Sequence, residues 1–386
     1  MDRTTYAHTA TRKRWWLLAA AAAAALAIPL VPAGAVAAEA DACAYGYTAS
    51  SSVFFGAGSA SSGVANYDTG DGCTVMDEVM AGAPFANHGT FVSTVNEVTN
   101  DLRTKGILTD AERSDIANAA AGSEVGKKVQ VNKQRSVDLS RVGLVSGTAG
   151  TIDGATLTTN PAVNLAGLAN CGFQNIEFSG AVGRYHAHTA ETLAPLAGAV
   201  GIDVPSIGVS LNDLKTNLAG VIRDAQAYGA EYARFSPPGN WSLADFSREA
   251  KELNEIGKNL APYGIKVGIH NHQSEFQTVE NGVTGYDILL RETDPEFITM
   301  EIDIGWSVSA GADTVELFQT YPGRFELLHF RDLTDLDVPG VFSPVGEGAM
   351  DLAEVFAHYS LGGVEYGHTE HNAACQSLGN LAELRY

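Results

Sequence analysis

The sequence predicts an α/β fold, a (β/α)8 TIM barrel over residues 140–386, preceded by a signal peptide and a small helical N-terminal module. Three observations carry the barrel. From Arg141 onward, eight short apolar runs recur: Val142–Val145, Asn175–Phe178, Val204–Val209, Tyr232–Phe235, Val267–Ile269, Ile298–Ile302, Leu327–Phe330 and Val364–Tyr366. Helical spacing separates most of them, over Asn164–Ala169, Thr189–Val200, Leu214–Tyr228, Leu243–Tyr263, Tyr286–Glu292, Val315–Tyr321 and Leu352–Tyr359. Eight such units in roughly 245 residues fit a closed barrel of ordinary size. Finally, the last four runs stop at acids or imidazoles: His270-Asn271-His272, Asp303, His329 and Glu370-His371. In a parallel barrel all strand C-termini open on one face, so these groups converge there as candidate ligands of one divalent metal. An open doubly wound sheet is the alternative. It calls for a glycine-rich phosphate turn opening a helix after the first strand, and Ser146–Gly150 is followed by no clear helical pattern.

The elements before the barrel read in order. Arg12-Lys13-Arg14, an alanine-rich apolar stretch from Trp15 to Val31, and small residues at Ala33–Ala37 make residues 1–37 an export signal. The run is short and weakly apolar for a retained membrane anchor. Residues 38–135 are a Gly/Ser-rich segment and a small helical module. Met76, Val79 and Met80, then Phe91, Val92, Val95, Val98 and Leu102, recur at helical spacing, and Thr109 with Glu112 three residues on predicts a capped helix start. His88 reads as a surface or capping residue.

Composition narrows the function. The 386 residues carry a formal charge of -21, and loss of residues 1–37 leaves about -24. A surface this acidic repels nucleic acid, whose phosphates need clustered Lys and Arg. The predicted protein is exported, with no stable membrane anchor after cleavage. Its four cysteines then permit disulfides. Cys43 and Cys73 flank the Gly/Ser-rich stretch and are expected to pair, which would contribute roughly 3 kcal/mol. Cys171 precedes a predicted strand and Cys375 follows another, so these two are expected to stay apart.

Several motifs, in order and at barrel spacing, carry a resemblance. They are Gly264-Ile265-Lys266-Val267-Gly268-Ile269-His270-Asn271-His272-Gln273-Ser274-Glu275-Phe276, then Gly285–Pro295, Glu301-Ile302-Asp303-Ile304-Gly305-Trp306, His329-Phe330-Arg331-Asp332, Val345-Gly346-Glu347-Gly348 and Glu370-His371-Asn372. Residues 140–386 resemble the xylose isomerase-like TIM barrel superfamily, and within it the sugar phosphate isomerase/epimerase family. The resemblance implies one divalent metal held by His270, Asp303, His329 and Glu370. His272 and Glu275 are alternative ligands, because many relatives carry glutamate after the fifth strand. Histidine with carboxylate suits Mn²⁺, Co²⁺, Mg²⁺ or Zn²⁺, and the lack of cysteine argues against a structural zinc site.

The implied chemistry is proton abstraction next to a carbonyl, through an enediolate, in a metal-dependent sugar isomerase or epimerase. Glu370 and Glu177 are the catalytic candidates. Trp306, Arg331, Phe276 and Asn271 are candidate substrate contacts, and Trp241 is a further aromatic at the predicted mouth. Export favours a non-phosphorylated sugar, keto-sugar or glycoside. A keto-glycoside lyase or dehydratase on the same metal site is the alternative, as is a non-catalytic exported carbohydrate-binding barrel. A metal-dependent endonuclease of the same superfamily conflicts with the acidic charge. The chain departs from the family at Ser206-Ile207-Gly208-Val209-Ser210, where relatives often place a histidine, and at Asn372, where aspartate is frequent.

Overall fold

All eight predicted strands are present in the computed structural model, which describes residues 52–56, 60–70, 72–128, 131, 133–280 and 282–386. The expected signal peptide, and Cys43 of the expected Cys43–Cys73 pair, lie outside the described residues. The strands are β1 (Val142–Val145), β2 (Asn175–Glu177), β3 (Ser206–Gly208), β4 (Tyr232–Phe235), β5 (Lys266–His270), β6 (Ile298–Asp303), β7 (Leu327–Phe330) and β8 (Tyr366–Thr369). They pair in parallel in the order β2-β1-β8-β7-β6-β5-β4-β3. The ring closes between β2 and β3, where Ile176 N–H donates to Asp203 O at 2.9 Å and Gly208 N–H to Phe178 O at 2.7 Å. Each strand is short and largely buried, as expected of parallel strands covered by helices.

The helices form an outer ring whose apolar stripes face the strands. Leu243–Leu260 shows why such a segment is helical. Ser242 and Asp245 close a capping box at its start, and Phe246, Ala250, Leu253, Ile256 and Leu260 recur on one buried face. Burying each large side chain there stabilises the fold by about 2 kcal/mol. Leu253→Ala would cost roughly 2–5 kcal/mol through the cavity it leaves.

Most element ends shift by one to three residues from the sequence reading, and three elements differ in a way that has a physical cause. The predicted helix Leu214–Tyr228 is two helices, Leu211–Thr216 and Leu218–Tyr228, because a Ser210/Asp213 capping box starts it early and Asn217 leaves the helical conformation. The segment expected over Leu352–Tyr359 likewise divides at His358, into Leu352–Ala357 and Tyr359–Gly362. β8 extends to Thr369 because the barrel interior accepts the polar His368 and Thr369, which apolar patterning could not anticipate.

Before the barrel, Ser52–Phe54 and Ser61–Ala65 form an antiparallel hairpin where the sequence reading gave a loose Gly/Ser-rich segment. Helices follow at Val75–Met80, His88–Thr104 and Asp110–Gly122, the last capped by Thr109 and Glu112 as their spacing predicts. Phe55 packs edge-on against Phe91 with centroids 5.0 Å apart. His88 bonds the carbonyl of Val125 at 2.8 Å.

Cys171 and Cys375 form a disulfide, with Cα atoms 5.4 Å apart, which corrects the expectation that they stay separate. That expectation treated both as strand-flanking residues. Cys171 instead ends the helix Pro161–Cys171 and Cys375 lies in the C-terminal helix Ala374–Glu383, and these two helices are neighbours in the outer ring. Among the described residues, no helix is long and apolar enough to cross a membrane.

Candidate metal centre and active site

Strand register brings the polar ends together. In the β6/β7 ladder Asp303 is level with His329, and in the β6/β5 ladder Glu301 is level with His270. Side chains alternate along a strand, so Glu301 and Asp303 face the same side one layer apart, as do His368 and Glu370. One ligand atom each from His270, Asp303, His329 and Glu370 lies within 4.8 Å of the others. His270, Asp303 and His329 are buried, and the Glu370 side chain keeps 15% of its exposure. Glu370 therefore opens this group to the barrel mouth.

The remaining predicted residues take other places. β5 ends at His270, so His272 is no longer on the strand face. Its ring meets His270 at 5.0 Å and Trp306 at 6.0 Å. Glu275 is buried and accepts from His272 N–H at 2.8 Å and Ser274 Oγ–H at 3.1 Å. Neither joins the four-residue group. Asn271, expected at the substrate, is fully buried: its Oδ1 accepts from Asp303 N–H at 3.0 Å and its Nδ2 donates to Asp303 O at 3.3 Å. It clamps β5 to the end of β6. Phe276 packs on Tyr286 with centroids 4.3 Å apart, and Trp241 packs on Phe246.

Arg331 sits over the four residues. Its Nε donates to Glu370 Oε2 at 3.0 Å, and its Nη2 contacts Glu370 Oε1. The guanidinium is flanked by Phe342 at 4.9 Å and Trp306 at 5.5 Å. Gly305 permits this approach, since a Cβ there would meet Arg331 Cβ at 2.5 Å.

Below lies a second polar layer, contributed by the even strands: Glu177, Arg234, Glu301 and His368. Barrel interiors are filled by such layers of four side chains from alternate strands, usually bulky aliphatics. Arg234 Nε donates to Glu177 Oε1 at 2.7 Å and stands 3.5 Å from Glu301 Oε2. Ser206 Oγ–H, at the start of β3, donates to Glu177 Oε2 at 2.7 Å and so supports this carboxylate. Gly143 makes room for His368, because a Cβ there would lie 2.5 Å from its ring. Both His368 nitrogens lack a hydrogen-bond partner, and Glu177, Glu301, His329 and His368 form a second close group. The sequence assigns no role to Arg234 or Glu301, and reads His368 as a surface or supporting residue rather than a ligand. Period-two alternation back from Asp303 and Glu370 was the signal that could have found the last two.

His329 joins the layers. Its Nδ1 is 2.9 Å from Glu370 Oε2, while its Nε2 is 3.2 Å from both Glu177 Oε1 and Glu301 Oε2. Burial disfavours its charge, yet Glu301 and Glu177 hold it well above the ordinary imidazole range. His270 is pushed the other way, by burial and then by the charges of His329 and Arg234. Burial, reinforced by Glu370, pushes Asp303 up to about 7. Glu370 is depressed despite its burial, through His329 and Arg331.

The donor set fits a divalent ion. Two imidazoles and two carboxylates face one point, and two anionic charges balance a dication. Asp303 Oδ2 is buried without a hydrogen-bond partner, and Arg331 Nε stands 3.0 Å from it as an ion pair outside hydrogen-bond geometry. A ligand oxygen aimed inward and left unsatisfied is what a metal would complete.

No family model matches the chain. Inosose dehydratase of Salmonella agona (strain SL483) is 25% identical over 134 residues, 31% of this chain and 44% of that protein. Inosose dehydratase of Geobacillus thermodenitrificans (strain NG80-2) is 27% identical over 130 residues, 29% and 42% of the two chains. The chain thus spans less than half the length of these relatives. A crystal structure of a sugar phosphate isomerase/epimerase from Parabacteroides distasonis superposes with a TM-score of 0.51 at 19% identity, covering 63% of this chain and 95% of that one. A second from the same organism gives 0.51 at 18% identity, with 66% and 96% covered. The fold of this chain is therefore a TIM barrel, similar to that of these two sugar phosphate isomerase/epimerases.

Proposed function

We propose that this protein is a metal-dependent isomerase or epimerase that moves a proton next to the carbonyl of a non-phosphorylated sugar or keto-sugar. One observation carries the reading: four strands present His270, Asp303, His329 and Glu370 to a common point at the barrel mouth. A divalent ion bound there supplies Lewis-acid polarisation of the substrate carbonyl. Glu370, ionised and the one member open to the mouth, is placed to take the carbon-bound proton and return it. Arg331 offers a guanidinium to a substrate oxygen, lying over the faces of the paired rings of Trp306 and Phe342. Glu177 has both oxygens engaged by Arg234, His329 and Ser206, so it serves His329 rather than acting as the base. His272 and Trp306 line the entry, and Asn271 holds Asp303 in place. Residues 1–37 are read as directing the protein out of the cytoplasm, which is why an unphosphorylated substrate is preferred.

A second reading is favoured by the inosose dehydratases among the sequence relatives: the same proton abstraction followed by loss of a β-hydroxyl, which is dehydration. Incubation with keto-sugars and inososes in deuterated water with added Mn²⁺ tests both. Deuterium at a carbon next to the carbonyl without loss of water supports the isomerase, and an unsaturated product supports the dehydratase. No exchange across the panel in metal-loaded protein would overturn both.

A further inference from the structure

We propose that Glu301 is the positioning carboxylate of the metal centre, setting the tautomer of both histidine ligands at once; this rests on the metal reading above. Glu301 lies on β6 directly beneath Asp303 and is fully buried. Its Oε2 is 3.1 Å from His270 Nδ1 and 3.2 Å from His329 Nε2. The two rings lie side by side with centroids 4.5 Å apart, and this one oxygen reaches a different nitrogen on each. A carboxylate only accepts, so each nitrogen facing it carries the proton. With an ion bound, that leaves Nε2 of His270 and Nδ1 of His329 as the lone-pair donors; without one, His329 Nδ1 also faces a carboxylate and keeps its proton. His329 Nδ1 is the nitrogen on the Glu370 side, 2.9 Å from that carboxylate.

Carboxylate partners of this kind fix ring orientation and raise ligand basicity, and their loss typically lowers metal affinity 10- to 100-fold. Glu177 shares the task at His329 only, and its oxygens are already tied to Arg234 and Ser206. Arg234, 3.5 Å from Glu301 Oε2, supplies the counter-charge that lets two acids occupy one layer. Gly268 admits it, since a Cβ there would meet Arg234 Cβ at 2.9 Å.

The variant Glu301→Gln keeps the shape but replaces the carboxylate with a neutral amide, whose oxygen accepts from the two rings without charge assistance and so holds both more weakly. Calorimetric titration of Zn²⁺ into wild type and Glu301→Gln should show roughly a 10- to 100-fold weaker Kd in the variant. Nitrogen NMR of the imidazoles in zinc-loaded wild type, which needs no variant to fold, should place the proton on Nδ1 of His270 and Nε2 of His329. Equal affinities, or a proton on the opposite nitrogen of either ring, would overturn the assignment while leaving the metal centre standing. Failure of wild type to bind Zn²⁺ at all would instead remove the centre itself, and this inference with it.

Discussion

The barrel holds two polar layers that differ in what their charges are tied to. In the lower one, Glu177 is bound by Arg234, His329 and Ser206, all from inside the barrel. In the upper one, Glu370 and Asp303 are met by Arg331, whose guanidinium lies against aromatic rings at the mouth. The lower contacts can be broken only by disturbing the core. The upper ones can be exchanged for an ion and a substrate without moving a strand. Similar residue types one layer apart thus read as support below and as chemistry above.

Variants can break that distinction. Asp303→Ala and Glu370→Ala should abolish metal binding and lower kcat/KM by roughly a thousandfold or more, the several kcal/mol a Lewis acid supplies, with little loss of folding stability. Metal analysis, turnover and thermal melting of the same samples check this. Arg234→Met should do the reverse in the first instance. Removing one partner of a buried ion pair costs roughly 3–5 kcal/mol, read as a lowered urea midpoint. If Arg234→Met melted like wild type while Asp303→Ala unfolded, the assignment of roles to layers would be inverted.

His270 and His272 sharpen the boundary of the upper layer. His270→Ala should lower zinc affinity by 10-fold or more, as roughly expected for a lost ligand. His272→Ala should leave metal content unchanged, because it stands outside the group. Metal uptake should also weaken by about tenfold per pH unit below neutrality, since at least one proton must leave. The sign follows from Asp303: burial and then Glu370 raise it to about 7, so it is protonated below that pH and must ionise to bind a cation. Metal titrations at pH 6 and 8 test this. A small effect on turnover is expected for Trp306→Phe, where the weaker ring face beneath Arg331 should raise KM by about threefold with kcat retained.

Much of the site was legible because a parallel barrel converts strand ends into a single place. Apolar runs ending at His270, Asp303 and His329 needed no contact information to be singled out. The last strand was harder: His368 and Thr369 interrupt its apolar pattern, which stops at Tyr366, although Glu370-His371 still marked its polar end. Asn271 was misjudged because a polar residue beside ligands can equally bond a neighbouring strand's backbone, and only the ladder register tells the two apart. The Cys171–Cys375 bond escaped because helix neighbours in the outer ring depend on how the last helix folds back, which pattern does not encode.

By itself the sequence determined the eight-unit barrel and the four strand-end residues, because periodicity and spacing are local properties. Only the tertiary structure decided which of His270, His272 and Glu275 joins the group, and that Glu177, Arg234, Glu301 and His368 share one layer. Those choices depend on strand stagger and on which atoms of facing side chains meet across the barrel, and a linear pattern carries neither.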